Sequence, residues 1–495
     1  MSRKAPLAMA KEEFREAGHR LVDRLADLMA AVPDGPVTKG EGPAAIREAL
    51  ALEGPLPEKG SDATALLLET AERLFGHSCF NAHPRFFGYI TAPPAPIGVL
   101  GDLIASAANP NLGLFQLAPA ATEIEVQAIR WIAELIGFPS DCGGIMVSGG
   151  NVANLVAFFA GRTSAAGWDI RARGLAGGDR PLRVYASAET HTWIQKAADL
   201  SGLGTDSIRW IETDDRLRMR VDALRRAIDE DRRRGDVPLL VVGTAGSVST
   251  GTVDPLPELA AVCRERGIWF HVDGAYGGLA AALPDVDPAL RGLALADSVA
   301  VDPHKWLYAP LEAGCTLVRD PAKLRAAFLF HPPYYEMGVE RMNFVDYGIQ
   351  NSRGFRALKV WLGLRHAGAA GYRTMIAEDI ALSRRLAGAV SRTPELELLT
   401  QELSITTFRY VPERLRNGAG TEDGERALNE LNKELLQTLQ QNGEAFLSNA
   451  VIRGKYALRA CVVNFHTSAA DVDAVPEIVM REARAVEERL HVRSK

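Results

Sequence analysis

Three short stretches of this chain hold residue types that could do chemistry together. The first is Ser298-Val299-Ala300-Val301-Asp302-Pro303-His304-Lys305-Trp306. An apolar strand here delivers a lysine next to an imidazole and an indole. Burial of a lysine favours its neutral amine, and a neutral amine is a nucleophile. A solvated surface lysine is the ordinary alternative, but the apolar strand before Lys305 and Trp306-Leu307 after it weigh against that. The second stretch is His271-Val272-Asp273-Gly274-Ala275-Tyr276, where Asp273 ends the apolar run Ile268-Trp269-Phe270. A carboxylate so placed needs a cation or an N–H donor. A protonated pyridine nitrogen would supply both, and a turn or N-cap aspartate is the plainer reading. The third is Ser148-Gly149-Gly150-Asn151, ahead of the apolar segment Val152 to Phe159. Glycines let backbone N–H groups approach an anion, and a helix N-terminus favours negative charge. It reads as a phosphate cradle or as an ordinary strand-to-helix turn.

The elements around these stretches place them at one edge. Strands are expected at Gly144 to Ser148, Arg183 to Ala188, Leu239 to Thr244, Ile268 to Asp273, Ser298 to Val301 and Gly314 to Val318. Several are nearly continuous in Val, Ile and Leu, as strands buried on both faces are. Helical stretches at Thr122 to Ile136, Val221 to Arg234 and Leu256 to Arg266 alternate with them. Thr122 with Glu125 reads as a capping box opening the first. The pattern predicts an α/β fold with a mostly parallel central sheet and helices on both faces. In such sheets ligands gather at the carboxyl ends of the strands. Residues 1–85 read as an N-terminal helical segment, with Phe14, Leu21, Leu25 and Leu28 at helical spacing. Residues 86–365 form the large domain. Residues 366–495 form a small α+β C-terminal domain, with a long helical start, strands at Ile405 to Tyr410 and Leu458 to Asn464, and a helix at Val475 to Glu488. Asn417 to Gly424 reads as a polar loop.

The bulk numbers narrow the function classes. With 56 basic and 62 acidic residues the net charge is −6, which is no footprint for nucleic acid. The five cysteines, Cys79, Cys142, Cys263, Cys315 and Cys461, are odd in number, scattered and never paired as C-x-x-C. That predicts reduced thiols, no zinc site and a cytoplasmic setting. The first residues carry no apolar stretch of a signal peptide, and no run is long and apolar enough for a membrane helix.

The order and spacing of the three stretches, with His191 in Glu189-Thr190-His191-Thr192 between them, resemble the group II pyridoxal-phosphate decarboxylases, in particular the aromatic-L-amino-acid decarboxylases. The resemblance runs from about Phe14 to about Ala485. It is densest in His83-Pro84-Arg85-Phe86-Phe87-Gly88-Tyr89, His271 to Gly278, Asp302 to Trp306 and Phe355-Arg356-Ala357-Leu358-Lys359-Val360-Trp361. It implies the fold of type I pyridoxal-phosphate enzymes, with pyridoxal 5'-phosphate as cofactor and an L-amino acid, most often aromatic, as substrate. By the same resemblance Lys305 carries the cofactor as an imine, Asp273 pairs with its ring nitrogen, and His191 stacks on the ring with Ala275 beneath. Gly149, Gly150 and Asn151 bind the phosphate, and Asp302 and His304 flank that end. Tyr334, in His331-Pro332-Pro333-Tyr334-Tyr335, matches the tyrosine that protonates the product carbon from a lid over 328–352. Tyr89, Ile90, Thr91 and Pro93 match a substrate-pocket wall. A homodimer with a shared site is implied, completed by the partner through the region matching Asn111 to Leu117.

Two departures stand out. Gly246-Ser247-Val248 replaces the family's frequent Gly-Thr-Thr, so a hydroxyl near the cofactor is lost at Val248. Asp302 replaces the family's asparagine, bringing a carboxylate towards a phosphate. Alternatives on the same fold are an acidic substrate, which needs cations that the Tyr89 to Pro94 wall lacks; an aldehyde-forming reaction, usually accompanied by loss of the lid tyrosine or the stacking histidine; and an aminotransferase, in which Arg459 would hold an α-carboxylate. Ser352 falls where serine accompanies phenolic substrates in plant relatives. A dead homologue would show a damaged Lys305 or Asp273, and both are intact.

Overall fold

Seven short apolar runs build the sheet that carries the three stretches. They are β1 (Gly143–Val147), β2 (Leu182–Ser187), β3 (Ile208–Ile211), β4 (Val237–Thr244), β5 (Trp269–Asp273), β6 (Ser298–Val301) and β7 (Gly314–Val318). The structure is a computed structural model and describes residues 5–330 and 341–493. The sheet order is β1-β7-β6-β5-β4-β2-β3. Strands β3, β2, β4, β5 and β6 pair in parallel, while β7 runs antiparallel to both β6 and β1. Because β7 is reversed, the carboxyl end of β1 meets the start of β7, with Val147 opposite Gly314. The carboxyl ends of β1, β4, β5 and β6 therefore share one edge. Every residue of β1, β5, β6 and β7 is buried. That is why these strands carry no polar alternation. The helix Gly150–Ala165, launched from β1, packs across β4 to β7, and Leu256–Arg266 packs on β4 and β5.

A second, antiparallel sheet follows. It contains β8 (Leu396–Glu402), β9 (Ile405–Tyr410), β10 (Ser448–Ile452) and β11 (Lys455–Cys461), in the order β10-β11-β9-β8. The helices Glu422–Asn442 and Ala469–Arg493 pack with it around a separate apolar core that includes Leu386, Phe408, Leu435 and Val479. The long helix Ala357–Ser391 leads from the large sheet to the small one and breaks at Gly368, whose φ of 64° leaves the helical region. At the other end of the chain, the helices Lys11–Ala31 and Ala63–Gly76 pack on each other and bury only Ala17 and Ala71. Phe14, Leu66 and Leu74 stay exposed within the single chain.

The structure corrects several expectations. Strand β3 was not expected from the sequence: Ile208-Arg209-Trp210-Ile211 is a short edge strand with polar interruptions. Strands β8 and β10 are partly solvated, so their apolar content falls below that of the buried strands. The polar loop expected at Asn417 to Gly424 is cut short, since the helix Glu422–Asn442 starts inside it with Thr421 accepting the Gly424 N–H. The capping box at Thr122 and Glu125 does not form, because the helix begins earlier, at Pro119. Glu125 is instead buried as the ion-pair partner of Arg353 and accepts the Met146 N–H. Among the described residues no helix is long and apolar enough to cross a membrane, and no cluster of side chains could hold a metal ion.

Candidate active site

At the shared edge lies a cavity of about 570 Å³ lined from both sheets. The large sheet contributes Gly149, Gly150, Asn151, His191, Asp273, Ala275, Asp302, His304 and Lys305. The small sheet contributes Ser448, Asn449 and Arg459, and the segment before the large sheet contributes Tyr89, Ile90 and Thr91. The fold thus brings together the three stretches, the intervening histidine and most of the expected wall. Pro93 is buried but does not line the cavity. The chain turns inward there towards the helix Pro96–Ala108, with the Ala95 N–H donating to the Tyr308 carbonyl. Tyr334 and the core of the expected lid lie outside the described residues.

Each functional side chain is fixed by the element that bears it. Asp273 closes β5 and is 7% exposed. One of its oxygens accepts the Trp193 indole N–H at 2.7 Å, and the other accepts the Ala275 backbone N–H at 3.1 Å. Just past β6, the Lys305 Nζ lies 2.9 Å from an Asp302 oxygen, and the His304 Nε2 is 3.6 Å from the same oxygen. The other Asp302 oxygen is buried without a hydrogen-bond partner. His304 donates from Nδ1 to the Ala313 carbonyl at 2.7 Å. Gly149, with φ of 91°, stands at the N-cap of Gly150–Ala165. A Cβ on Gly150 would sit 2.7 Å from an Asp302 oxygen and 3.2 Å from the Ala275 side chain, so only glycine fits this approach.

Burial governs the titration of the site. His191 is open to the cavity, yet the protein around it pushes its imidazole below the ordinary value, against the pull of Asp273. Burial also lowers His304, with Asp302 opposing. Beneath the site His271 is pushed down to about 4 by burial. It is held between the Ser298 hydroxyl at 2.9 Å and the Asn154 side-chain oxygen at 2.7 Å.

Reading of the sequence missed Trp193 and undervalued Arg459. Arg459 is 2% exposed, on β11. Its Nη1 donates to the Tyr89 carbonyl at 3.0 Å and to the Ser448 hydroxyl at 2.9 Å, while Nε and Nη2 have no partner. Burial lowers its pKa from the ordinary arginine value. The signal was present: an arginine inside the apolar run Ala457-Leu458-Arg459-Ala460-Cys461 has no reason to be there unless something pairs with it. Tyr89 itself takes a φ of 52°, a strained position for a non-glycine residue, of the kind that clusters at functional sites.

An amine, a buried carboxylate beyond it and a glycine-capped helix N-terminus fit pyridoxal 5'-phosphate, which presents an aldehyde, a basic ring nitrogen and an anion. Of the groups at that helix terminus, the Asp302 carboxylate is the one unfavourable to an anion. The chain belongs to the pyridoxal-dependent decarboxylases: residues 46–411 match the pyridoxal-dependent decarboxylase conserved domain. It is a carboxy-lyase acting on an amino acid, has the fold of type I pyridoxal-phosphate enzymes, and uses pyridoxal 5'-phosphate. Among its relatives, an aromatic-L-amino-acid decarboxylase of Bacillus atrophaeus is 34% identical, with 97% of each chain covered. A phenylacetaldehyde synthase of a Rosa hybrid cultivar is 29% identical over 97% of this chain and 95% of its own. The crystal structure of Oryza sativa TDC with PLP and tryptamine superposes with a TM-score of 0.88 at 27% identity, covering 98% of this chain and 99% of that one.

Proposed function

We propose that this enzyme decarboxylates an aromatic L-amino acid, tyrosine, tryptophan, Dopa or phenylalanine, to the corresponding amine. The observation that carries the reading is the charge inventory of the cavity. Histidines aside, Arg459 and Lys305 are the cations among its described lining residues, and Lys305 is committed to the cofactor. One spare buried cation matches one carboxylate. An acidic side chain would need a second. The names of the relatives, an aromatic amino acid decarboxylase among them, support the same choice.

The residues divide the work as follows. Bound pyridoxal phosphate supplies an electron sink for the bond that breaks. Lys305 would hold it through its amine. Asp273 keeps a proton on the ring nitrogen. His191 and Ala275, which line the cavity, would pack against the two faces of the cofactor ring. Gly149, Gly150 and Asn151 hold the phosphate at the helix N-terminus, flanked by Asp302 and His304. Tyr89, Ile90 and Thr91 form the wall for the aromatic side chain. Arg459 orients the α-carboxylate, and Tyr334 returns a proton to Cα.

The division into 1–85, 86–365 and 366–495, a cytoplasmic setting and a homodimer with a shared site belong to the same reading. The exposed Phe14, Leu66 and Leu74 of the N-terminal helices support the homodimer, since such a face is covered by a second chain or another apolar surface.

Incubating the purified protein with the standard amino acids plus Dopa, and measuring CO₂ and amine, tests the reading. Aromatic substrates should turn over fastest, and Lys305→Ala should abolish turnover. Faster release of CO₂ from glutamate or aspartate would overturn the aromatic assignment. Tyr334→Phe should divert product towards aldehyde. If that variant makes only amine at full rate, the proton comes from elsewhere.

A further inference from the structure

Trp193 opens the helix Trp193–Leu200 and is 2% exposed. Burying an indole usually requires a partner for its N–H. Here the partner is not a backbone carbonyl or a neutral side chain but the Asp273 carboxylate, at 2.7 Å. The backbone N–H of the same residue donates to Nδ1 of His191 at 3.3 Å. That bond makes Nδ1 an acceptor and places the proton of a neutral His191 on Nε2. The indole is braced from behind, edge-to-face on His271, with ring centroids 5.4 Å apart and planes at 88°. His271 is in turn held at both ring nitrogens. One residue therefore grips both the carboxylate at the end of β5 and the imidazole at the cavity face.

We propose that Trp193 is the positioning residue that sets the distance and orientation between the Asp273 carboxylate and the His191 ring, and so fixes where the cofactor ring is held. This inference rests on the proposed roles of Asp273 and His191. Asp273 has one further hydrogen-bond donor, the Ala275 backbone N–H, on its other oxygen. With the indole N–H removed, the carboxylate pivots about that remaining bond, and its contact with the ring nitrogen loosens. A hydrogen bond to a charged group is worth about tenfold to hundredfold in an equilibrium. The loss should appear in how the cofactor is held more than in how the substrate enters, because Trp193 does not line the cavity.

The test replaces Trp193 by Phe in the full chain. Cofactor affinity is read by titrating cofactor-free protein with pyridoxal 5'-phosphate, and ring orientation by the visible circular dichroism of the loaded protein. Expected are an affinity about tenfold weaker, a diminished visible dichroic band, and kcat reduced about tenfold with KM changed less than twofold. Should Trp193→Phe fail to fold, benzothienylalanine at position 193 keeps the bicyclic shape and replaces only the N–H by sulfur, and the same losses are expected. In the Asp273→Asn background the Trp193→Phe change should have no further effect on affinity. Unchanged affinity and an unchanged visible band in either variant, or full additivity with Asp273→Asn, would overturn the proposal. Borohydride reduction followed by peptide mapping separates the two levels: a tag on Lys305 upholds the site assignment whatever Trp193 does, and a tag elsewhere removes it.

Discussion

The ends of β5 and β6 are neighbours in the sheet, and each delivers a buried carboxylate to the same cavity. Asp273 lies directly opposite Ala300, two residues before Asp302. The two carboxylates are solvated by the protein in opposite ways. Asp273 is held by two neutral N–H donors, one on each oxygen, from a backbone amide and a packed indole. Asp302 is held by the ammonium of Lys305 and left with one buried oxygen unpartnered. Neutral donors on fixed elements hold a carboxylate in place and leave its charge for a ligand cation. A long flexible lysine is a detachable partner, and detaching it leaves a buried charge uncompensated. One strand end is thus a fixed fitting, the other an ion pair that the proposed role of Lys305 would require to open.

The largest effect that could break this contrast is expected at Asp273. Asp273→Asn should lower turnover by about 10²- to 10³-fold, the range seen when a preorganised electrostatic partner is lost. A loss below tenfold in steady-state kinetics would mean that the two carboxylates are equally dispensable. At Asp302 the change should run the other way. Asp302→Asn removes the ion pair on Lys305 and, with the phosphate held as proposed, a negative charge beside it, so the dissociation constant for pyridoxal 5'-phosphate should fall by about tenfold. Weaker binding in that variant would show Asp302 to be a ligand rather than an opponent.

A further effect, read in stability, sharpens the contrast from beneath. His271, two residues before Asp273 and opposite Ser298 in β6, is pushed down to about 4 by burial. Between pH 6.5 and 4 the unfolded chain takes up a proton that the folded chain refuses. The stability this group contributes above pH 6.5 is therefore lost as the pH falls to 4, by on the order of 3 kcal/mol. Denaturant unfolding of His271→Asn against the parent should show a gap that narrows by that amount across the window. Asp379 and Asp254, which burial pushes up to about 7 and about 6, act with the opposite sign but are common to both proteins and cancel. A gap that stays constant with pH would mean His271 is not held neutral.

What the sequence revealed and what it hid follow from range. Strands β5, β6 and β7 were legible because burial on both faces makes them short, mostly apolar runs without regular polar alternation. Lys305, Asp273 and the glycine pair were legible because each lies within a few residues of such a run. Their meeting at one edge followed from the parallel topology. Trp193 was invisible as a site residue because its partner is 80 positions away in sequence, and a tryptophan on an amphipathic helix looks like packing. Arg459 was noticed only under the aminotransferase alternative, since nothing local shows that β11 reaches the cavity. The capping box at Thr122 misled because Pro119, three residues earlier, starts the helix at least as well. Pro93 was taken for cavity wall because the wall was treated as continuous, whereas the chain leaves the cavity after Thr91.

Tyr276, next in sequence to Ala275, sends its hydroxyl 2.7 Å to Ser404 in the turn between β8 and β9, and its ring packs 4.7 Å from that of Trp306, the residue after Lys305. The Tyr276 phenol therefore ties the floor of the pocket to the small sheet. Heating that frees the four-stranded layer must also unseat the lysine loop, so vitamin release and melting of the C-terminal layer should coincide in a single calorimetric peak.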